Sequence, residues 1–331
     1  MKSNIHHTPG MYGEIKLFAG TGCPEVAQGI SRYLNIPLSG RDIIEFANEN
    51  LWVRLHESIR GQDVYVIQTT SRPIHRNLME LLIMLQTMRL DSAGRVTAVV
   101  PYLCYTRSDK KDKPRVPITA RLIADMIEIA GADRYMTLDM HAGQIQGFFS
   151  IPGDVLSAFH LLVVQVQELL PQMRNPVVLT ADLGFAKKGR NFAAELGLPI
   201  AFIEKRRSTE KGMAEALNLI GDVKDRDVII VDDEVDTGGS ITQAAHLAKE
   251  YGAKDIYLAF IHPVFSDPAI ERITQSPISH ILTTASIPIP QQKLAKLKEH
   301  CTTEILDIAP LLGEVIRRAH EGRSVGEMFD E

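Results

Sequence analysis

Short apolar runs rich in Val and Ile recur along this 331-residue chain, each cut off by polar residues and followed by a helix-like pattern. The first half carries "EIKLFAG", "DVYVIQTT", "RVTAVVPY" and "RYMTLDMH"; the second carries "PVVLTADL", "IAFIEK", "DVIIVDDE", "DIYLAFIH" and "HILTTASI". Their hydrophobicity is continuous rather than alternating. That predicts strands covered on both faces, an environment that helices packed on either side of a parallel sheet provide. Helical patterns over residues 78–90, 118–129 and 240–251 lie between them. Both halves therefore read as α/β, each a mainly parallel sheet flanked by helices. The length suits about two domains at ~150 residues each, with a boundary near residues 152–156 and no low-complexity linker. The 78–90 helix is apolar on nearly every side, which predicts burial in its domain or in a subunit interface.

Hydrophobic content of 45% and charged content of 23% describe a globular protein. A formal charge of -5 leaves no electrostatic footprint for nucleic acid or an anionic membrane. The longest helical apolar stretch, "LMELLIMLQTMRL", is interrupted by Glu80 and Gln86 and is too short to span a bilayer. Residues 1–13 lack the apolar core of a secretory signal and read as a flexible extension, with His6 and His7 part of a polar tail rather than a metal site. Cys23, Cys104 and Cys301 match neither a disulfide framework nor a zinc pattern. They read as buried small apolar residues of a reducing compartment, the cytoplasm.

Ligands of open α/β sheets bind at the carboxyl ends of the strands. That rule selects "DMHAGQ" after Leu138, "ADLGFAKKGR" after Thr180, "EKRR" after Ile203 and "DDEVDTGGS" after Val231. Familiar nucleotide motifs fail here. "GTGCPE" has Glu25 where a dinucleotide fingerprint needs its third Gly, and "GFAKKGRN" has Arg190–Asn191 where a P-loop needs Lys–Ser/Thr. In "VDDEVDTGGSI" a Gly turn at a helix start suits a phosphate, yet Asp232, Asp233, Glu234 and Asp236 crowd the same place.

That stretch resembles the ribose-5-phosphate loop of type I phosphoribosyltransferase-like folds. "KLFAGTGCPE", "ESIRGQDVYVIQ", "NLMELLIM", "RVTAVVPYLCYTRSDKKDKPRVPIT", "DMHAGQIQGFF", "IEKRR", "IIVDDEVDTGGS", "PAIERI" and "RRAHEGRSVGEMF" follow in order. Together, from about Glu14 onward, they resemble the class I ribose-phosphate diphosphokinases (phosphoribosyl pyrophosphate synthetases). The resemblance implies two phosphoribosyltransferase-like domains, 14–155 and 156–311, with the segment from about 312 returning to the first. It implies transfer of the diphosphoryl group of Mg-ATP to the C1 hydroxyl of ribose 5-phosphate, giving 5-phosphoribosyl 1-diphosphate and AMP. Two other readings share the loop: a non-catalytic associated subunit, and a phosphoribosyltransferase that consumes phosphoribosyl diphosphate.

The resemblance also implies roles residue by residue. The turn Thr237, Gly238, Gly239 and Ser240 would take the 5-phosphate, while Asp232 and Asp236 accept hydrogen bonds from ribose hydroxyls. Asp233 would do the same or contact a metal-bound water. Asp182 and His141 match Mg²⁺-associated positions. Asp182 suits ribose hydroxyls or metal-bound water, and His141 a phosphate oxygen or outer-sphere water. Lys205 and Arg207, with Arg206 between them, match two catalytic cations of a mobile loop that continues into "STEKGMAEALN". On the ATP side, Arg107 matches a phosphate contact, with Asp109 and Lys110 beside it. Phe46 matches the aromatic on adenine, and Asn48 and Asn50 the readers of its amino group. A regulatory site for phosphate as activator and ADP as inhibitor would use Ser58, Arg60, Arg115, Ser324, Val325 and Phe329, usually within a homohexamer.

The chain departs from the pattern at several of these places. Asn50 replaces a carboxylate, and an amide can donate as well as accept, so donor preference is expected to loosen. Ser108 stands for Gln. Phe185 stands where a second Gly normally follows "DxG", a ring that would either change the loop or fill space near the ribose. Pro263 and Asp267 replace glycines in "IHPVFSDP". The cations carry the sharpest expectation, because diphosphoryl transfer rests on positioning and charge stabilisation. Replacing Lys205 or Arg207 by Ala should lower kcat about 10²–10³-fold with far smaller changes in either KM. Steady-state kinetics check this, and an unchanged kcat removes the assignment.

Overall fold

The computed structural model describes residues 12–206 and 216–328. It divides into two compact units, one built from the chain through Leu156 together with the segment from Asp307, the other from Ser157–Leu306.

The first unit opens with β1 (Ile15–Ala19), α1 (Pro24–Leu34), and a hairpin of β2 (Arg41–Glu45) and β3 (Leu51–Leu55). It continues through β4 (Asp63–Ile67), α2 (Ile74–Leu90), β5 (Arg95–Val100), α3 (Thr119–Ala130), β6 (Arg134–Leu138) and β7 (Gly153–Leu156). The sheet order is β1-β4-β5-β6-β7, with every neighbouring pair parallel. β4 and β5 are buried along their whole length, as continuous hydrophobicity requires. α2 begins a turn earlier than its apolar pattern. Leu81, Met84, Leu85 and Met88 enter the core, whereas Met79 (46%) and Leu90 (76%) are exposed. Eight of its 17 residues are thus buried in its own unit. The β2–β3 hairpin, β7, and two strands of the second unit described next are additions to the sequence reading.

The second unit contains α4 (Phe159–Leu169), β8 (Val177–Thr180), α5 (Ala186–Leu196), β9 (Ile200–Arg206), β10 (Ala216–Ile220), β11 (Val228–Glu234) and α6 (Gly239–Glu250). β12 (Ile256–His262), α7 (Ala269–Thr274), β13 (His280–Thr284), α8 (Gln291–His300) and β14 (Thr302–Leu306) complete it. Its sheet runs β10-β9-β8-β11-β12-β13-β14, parallel throughout except for the antiparallel β9–β10 pair. β12 is buried from end to end.

α9 (Ala309–Glu321) returns to the first unit and packs on α1. Small residues allow the close approach: a Cβ on Gly29 would come within 2.5 Å of the Ala309 Cβ. A buried polar cluster completes the docking. Asp63, fully buried, accepts from Arg95 Nε at 2.8 Å and Nη2 at 2.6 Å and from the Tyr65 hydroxyl at 3.0 Å, and pairs with His320 Nδ1 at 2.8 Å. Arg95 Nη2 also donates to the Ala319 carbonyl at 3.2 Å. The Tyr12 ring lies 4.6 Å from the Arg95 guanidinium, and the Gly13 N–H donates to the Gly61 carbonyl at 3.0 Å. The end of the predicted extension is thus anchored; its remainder, with His6 and His7, lies outside the described residues.

Burial pushes the Asp63 carboxyl up, but the hydrogen bonds from His320 and Arg95 and the charge of Arg95 outweigh it and hold the group below the usual carboxylate range. A depressed folded value contributes stability that is present above the unfolded value of about 3.9 and is lost as pH falls through the folded one. Acid unfolding of wild type should show this loss, and Asp63→Asn should not. The variant should also lose about 3–5 kcal/mol at neutral pH, because Arg95 is left buried without its partner. Chemical denaturation across pH measures both effects.

Candidate active site

In the second unit, β8 and β11 are adjacent parallel strands, so their carboxyl ends deliver Asp182 and Asp232–Asp233 to the same edge. Asp182 is exposed, and its Oδ1 accepts the Phe185 N–H at 3.0 Å, shaping the turn into α5. Asp232 Oδ1 accepts the Asp233 N–H at 2.9 Å. Burial raises the Asp232 carboxyl well above its ordinary value, the Asp233 carboxylate raises it further, and Asp182 adds to both. Such a cluster favours partners that donate hydrogen bonds or bring positive charge. Hard oxygen donors suit Mg²⁺, which keeps much of its water. Among the described residues no group of three or more His, Cys, Asp or Glu is arranged as a metal cage.

Just past Asp236, the chemistry reverses. Gly238 adopts φ 73°, a left-handed conformation that glycine takes without strain, and α6 starts at Gly239. The first N–H groups of a helix have no partner within it, so this turn offers donors and a positive dipole end to an anion. Thr242 fixes the turn from inside, its N–H and Oγ1 both reaching the Gly238 carbonyl, at 3.0 and 2.9 Å. The strand-end strap "HPVFSDP" fixes it from outside. The Val235 N–H donates to the His262 carbonyl at 3.0 Å, and the Phe265 N–H donates to the Val235 carbonyl at 2.9 Å. Lys293 Nζ grips the strap at the Phe265 carbonyl (2.7 Å) and Asp267 Oδ1 (2.9 Å). Arg272 Nη1 donates to the Thr237 carbonyl at 3.0 Å. Sequence reasoning passed over Arg272, although "PAIERI" contains it.

Phe185 resolves one of the two alternatives set by the sequence. Its ring is only 8% exposed and packs beside Phe159 at 5.7 Å between centroids, inside the cluster that includes Leu162, Phe192 and Ile229. It is part of the core, and its φ of -89° is ordinary. Lys205 and Arg206 pair through their backbones with Leu217 and Ala216, so β9 runs on through the first cation. Arg207 and the following residues through 215, most of the predicted lid, lie outside the described residues.

In the first unit, β5 and β6 are neighbours, and the loops after them carry Arg107 to Lys110 and His141. Asp109, buried, accepts from Gln144 Nε2 at 2.6 Å, which ties the two loops together. Arg107 and His141 are both exposed. A cavity of about 400 Å³ is lined by Arg107, Ser108, Lys110, Asp112, Val116 and Pro117. Ser108 is also structural: its Oγ accepts the Thr119 N–H at 3.3 Å and its carbonyl accepts the Ala120 N–H at 3.1 Å, both at the start of α3. Burial pushes the Cys23 thiol up to about 12 and the Cys104 thiol up to about 11, so neither serves as a nucleophile.

The β2–β3 tip holds Phe46, Asn48 and Asn50. Phe46 is 51% exposed, so its ring presents a face for stacking rather than filling the core. The Phe46 N–H donates to the Asn50 carbonyl at 2.9 Å, and the Asn50 N–H donates to Asn48 Oδ1 at 3.2 Å. Asn50 lines a second cavity of about 600 Å³ with Glu45, Glu49, Leu51, His75, Arg76, Met79 and Ile83. Of the regulatory positions, Ser58, Arg60, Arg115 and Ser324 are exposed and Val325 is half-buried, while Phe329 lies outside the described residues. Arg318 Nη1 donates to the Ser324 carbonyl at 2.8 Å.

Comparison with known proteins bears on the whole chain. Residues 15–131 match the model of the N-terminal domain of ribose phosphate pyrophosphokinase, and residues 207–330 match the phosphoribosyl synthetase-associated domain. A ribose-phosphate pyrophosphokinase of Clostridium tetani is 42% identical, covering 96% of this chain and 97% of its own. The enzyme of the same name from Chlorobaculum tepidum is 44% identical over 96% and 95%. The crystal structure of phosphoribosylpyrophosphate synthetase from Mycobacterium smegmatis superposes with a TM-score of 0.87 at 38% identity, covering 93% of this chain and 99% of that one. With relatives matched from end to end in sequence and fold, the chain belongs to the ribose-phosphate pyrophosphokinase family.

Proposed function

We propose that the protein transfers the β,γ-diphosphoryl group of Mg-ATP to the C1 hydroxyl of ribose 5-phosphate. The observation that carries this reading is the junction after β11, where crowded carboxylates adjoin a glycine turn opening a helix. One end of that loop suits ribose hydroxyls and the other a phosphate. Full-length similarity to pyrophosphokinases disfavours both the transferase reading and that of a non-catalytic subunit.

In the reaction the C1 oxygen attacks the β-phosphorus, a C–O–P bond forms, and the bond from the β-phosphorus to the α,β-bridging oxygen breaks. AMP leaves with that oxygen, and the hydroxyl proton passes to solvent. Thr237, Gly238, Gly239 and Ser240 hold the 5-phosphate, and Asp232 and Asp236 orient the ribose through its hydroxyls, joined by Asp233. Mg²⁺ arriving with ATP would neutralise charge on the phosphates; Asp182 suits ribose hydroxyls or a metal-bound water, and His141 a phosphate oxygen or outer-sphere water. Arg107 and His141 steady the ATP phosphates. Lys205 and Arg207 stabilise the charge that develops as the bridge breaks. Phe46 stacks on adenine, with Asn48 and Asn50 at its amino edge. Phosphate and ADP act as effectors at Ser58, Arg60, Arg115, Ser324, Val325 and Phe329 in a homohexamer. The three buried free cysteines support a cytoplasmic setting.

Incubation with Mg²⁺, ATP and ribose 5-phosphate should yield AMP and 5-phosphoribosyl 1-diphosphate by mass spectrometry. Pyrophosphate release that needs an added base would mark a transferase instead, and no product would mark a non-catalytic subunit. Because the Phe185 ring is core, Phe185→Leu should lower stability by about 1 kcal/mol and leave the KM for ribose 5-phosphate unchanged within about twofold. A large KM change in a folded variant would place the ring in the site.

A further inference from the structure

We infer that Arg272 is a positioning residue for the substrate phosphate, acting through the Thr237–Gly238 peptide; this rests on the ribose 5-phosphate reading above. α7 carries Arg272 to the turn, where Nη1 donates to the Thr237 carbonyl at 3.0 Å. A Cβ on Gly239 would lie 3.3 Å from the same Nη1, so the guanidinium rests against the first residue of α6.

The Thr237 carbonyl and the Gly238 N–H belong to one planar trans peptide and point in opposite directions. Fixing the carbonyl on Arg272 therefore aims the Gly238 N–H away from that guanidinium. Sterics alone do not fix that orientation. Gly238 sits at φ 73°, and a glycine adopts positive and negative φ with similar ease, so the peptide before it can turn over at little cost. A turned-over peptide would present a carbonyl oxygen to the phosphate in place of a donor. Val235 is bound to the strap on one side of this peptide, and Thr242 holds the Gly238 carbonyl on the other. Arg272 supplies the tie between them.

The strap is braced for that task. Lys293 holds Phe265 and Asp267 just before α7, and Gly238 lies against Ala269, whose Cα and carbonyl oxygen are 3.5 Å from an ideal Cβ on the glycine. Asp267, one of the two non-glycine replacements in the strap, thus contributes to holding the element that bears Arg272. A planar guanidinium with several N–H groups keeps its grip on one carbonyl over a range of approach angles, and a lysine ammonium can donate to the same atom.

Arg272→Ala and Arg272→Lys test this in the full-length protein. For Arg272→Ala the KM for ribose 5-phosphate should rise about 10- to 100-fold, the weight of a charge-assisted hydrogen bond, with a much smaller fall in kcat and little change in KM for ATP. Preference for ribose 5-phosphate over unphosphorylated ribose, as a ratio of kcat/KM, should fall by a similar factor. Arg272→Lys should recover most of the loss, and thermal midpoints should match wild type. An Arg272→Ala variant with unchanged KM and preference overturns the inference, as does a KM rise that tracks a lowered midpoint and is not rescued by Lys. If wild type binds ribose 5-phosphate by calorimetry but makes no product, the reaction is misassigned, and the two variants' affinities still judge Arg272. If wild type does not bind it, both fall.

Discussion

A sheet covered by helices on both faces has no surface left for polar work except its edges and strand ends, and that restriction organises both units. In β11 the apolar residues Val228 to Val231 fill the core, and carboxylates begin at Asp232, at the strand's carboxyl end, where Asp233 and Glu234 are still buried. Because β8 lies directly beside β11, Asp182 emerges next to them. In the first unit β5 and β6 bring the Arg107 loop beside the His141 loop, and the Asp109–Gln144 hydrogen bond locks the pair. Parallel neighbours end at the same edge, so residues remote in sequence gather there without any further device.

Crowding has an electrostatic consequence. Asp232 is raised by burial and then by its acidic neighbours, so an isolated site is poorly matched to its own charge. Hydroxyl donors or a cation relieve that mismatch, whereas an anion placed there would worsen it. The glycine turn after Asp236 supplies the opposite preference through backbone N–H groups. A ligand bearing hydroxyls at one end and a phosphate at the other satisfies both. The hard cation that accompanies ATP would lower the repulsion among the carboxylates as the substrates arrive. On the function proposed above, acid beside the glycine turn would divide one molecule between two environments.

Much of this was legible in the sequence because buried parallel strands write themselves as unbroken apolar runs. β1, β4, β5, β6, β8, β9, β11, β12 and β13 were all visible in that way. The strands that escaped notice are less deeply covered. "LWVRL" alternates in a half-exposed hairpin, "GDVL" and "TTEIL" sit at sheet edges, and β10 is an antiparallel edge strand. Edges mix polar and apolar residues because water reaches them, which dilutes the signal. In the site, residues carried by a local motif were readable. Arg272 was not, because its value lies in a fold-back from α7 that no spacing encodes. Side-chain direction was equally hidden: Phe185 at a glycine position signals a ring but not which way the ring faces.

Seen in three dimensions, the departures from the family pattern sort by what holds them. Phe185 is absorbed by the aromatic core around Phe159, Asp267 by Lys293, and Ser108 by the start of α3. Each has acquired a structural partner. Asn50 differs. It lines a cavity near the exposed Phe46, where its amide can donate as well as accept. On the function proposed above, divergence would fall on how a nucleotide base is read, while the carboxylates and glycine turn after β11 are retained. A substitution that finds a partner in the fold is held in place by the fold; a substitution whose partner is the ligand changes what the ligand can be.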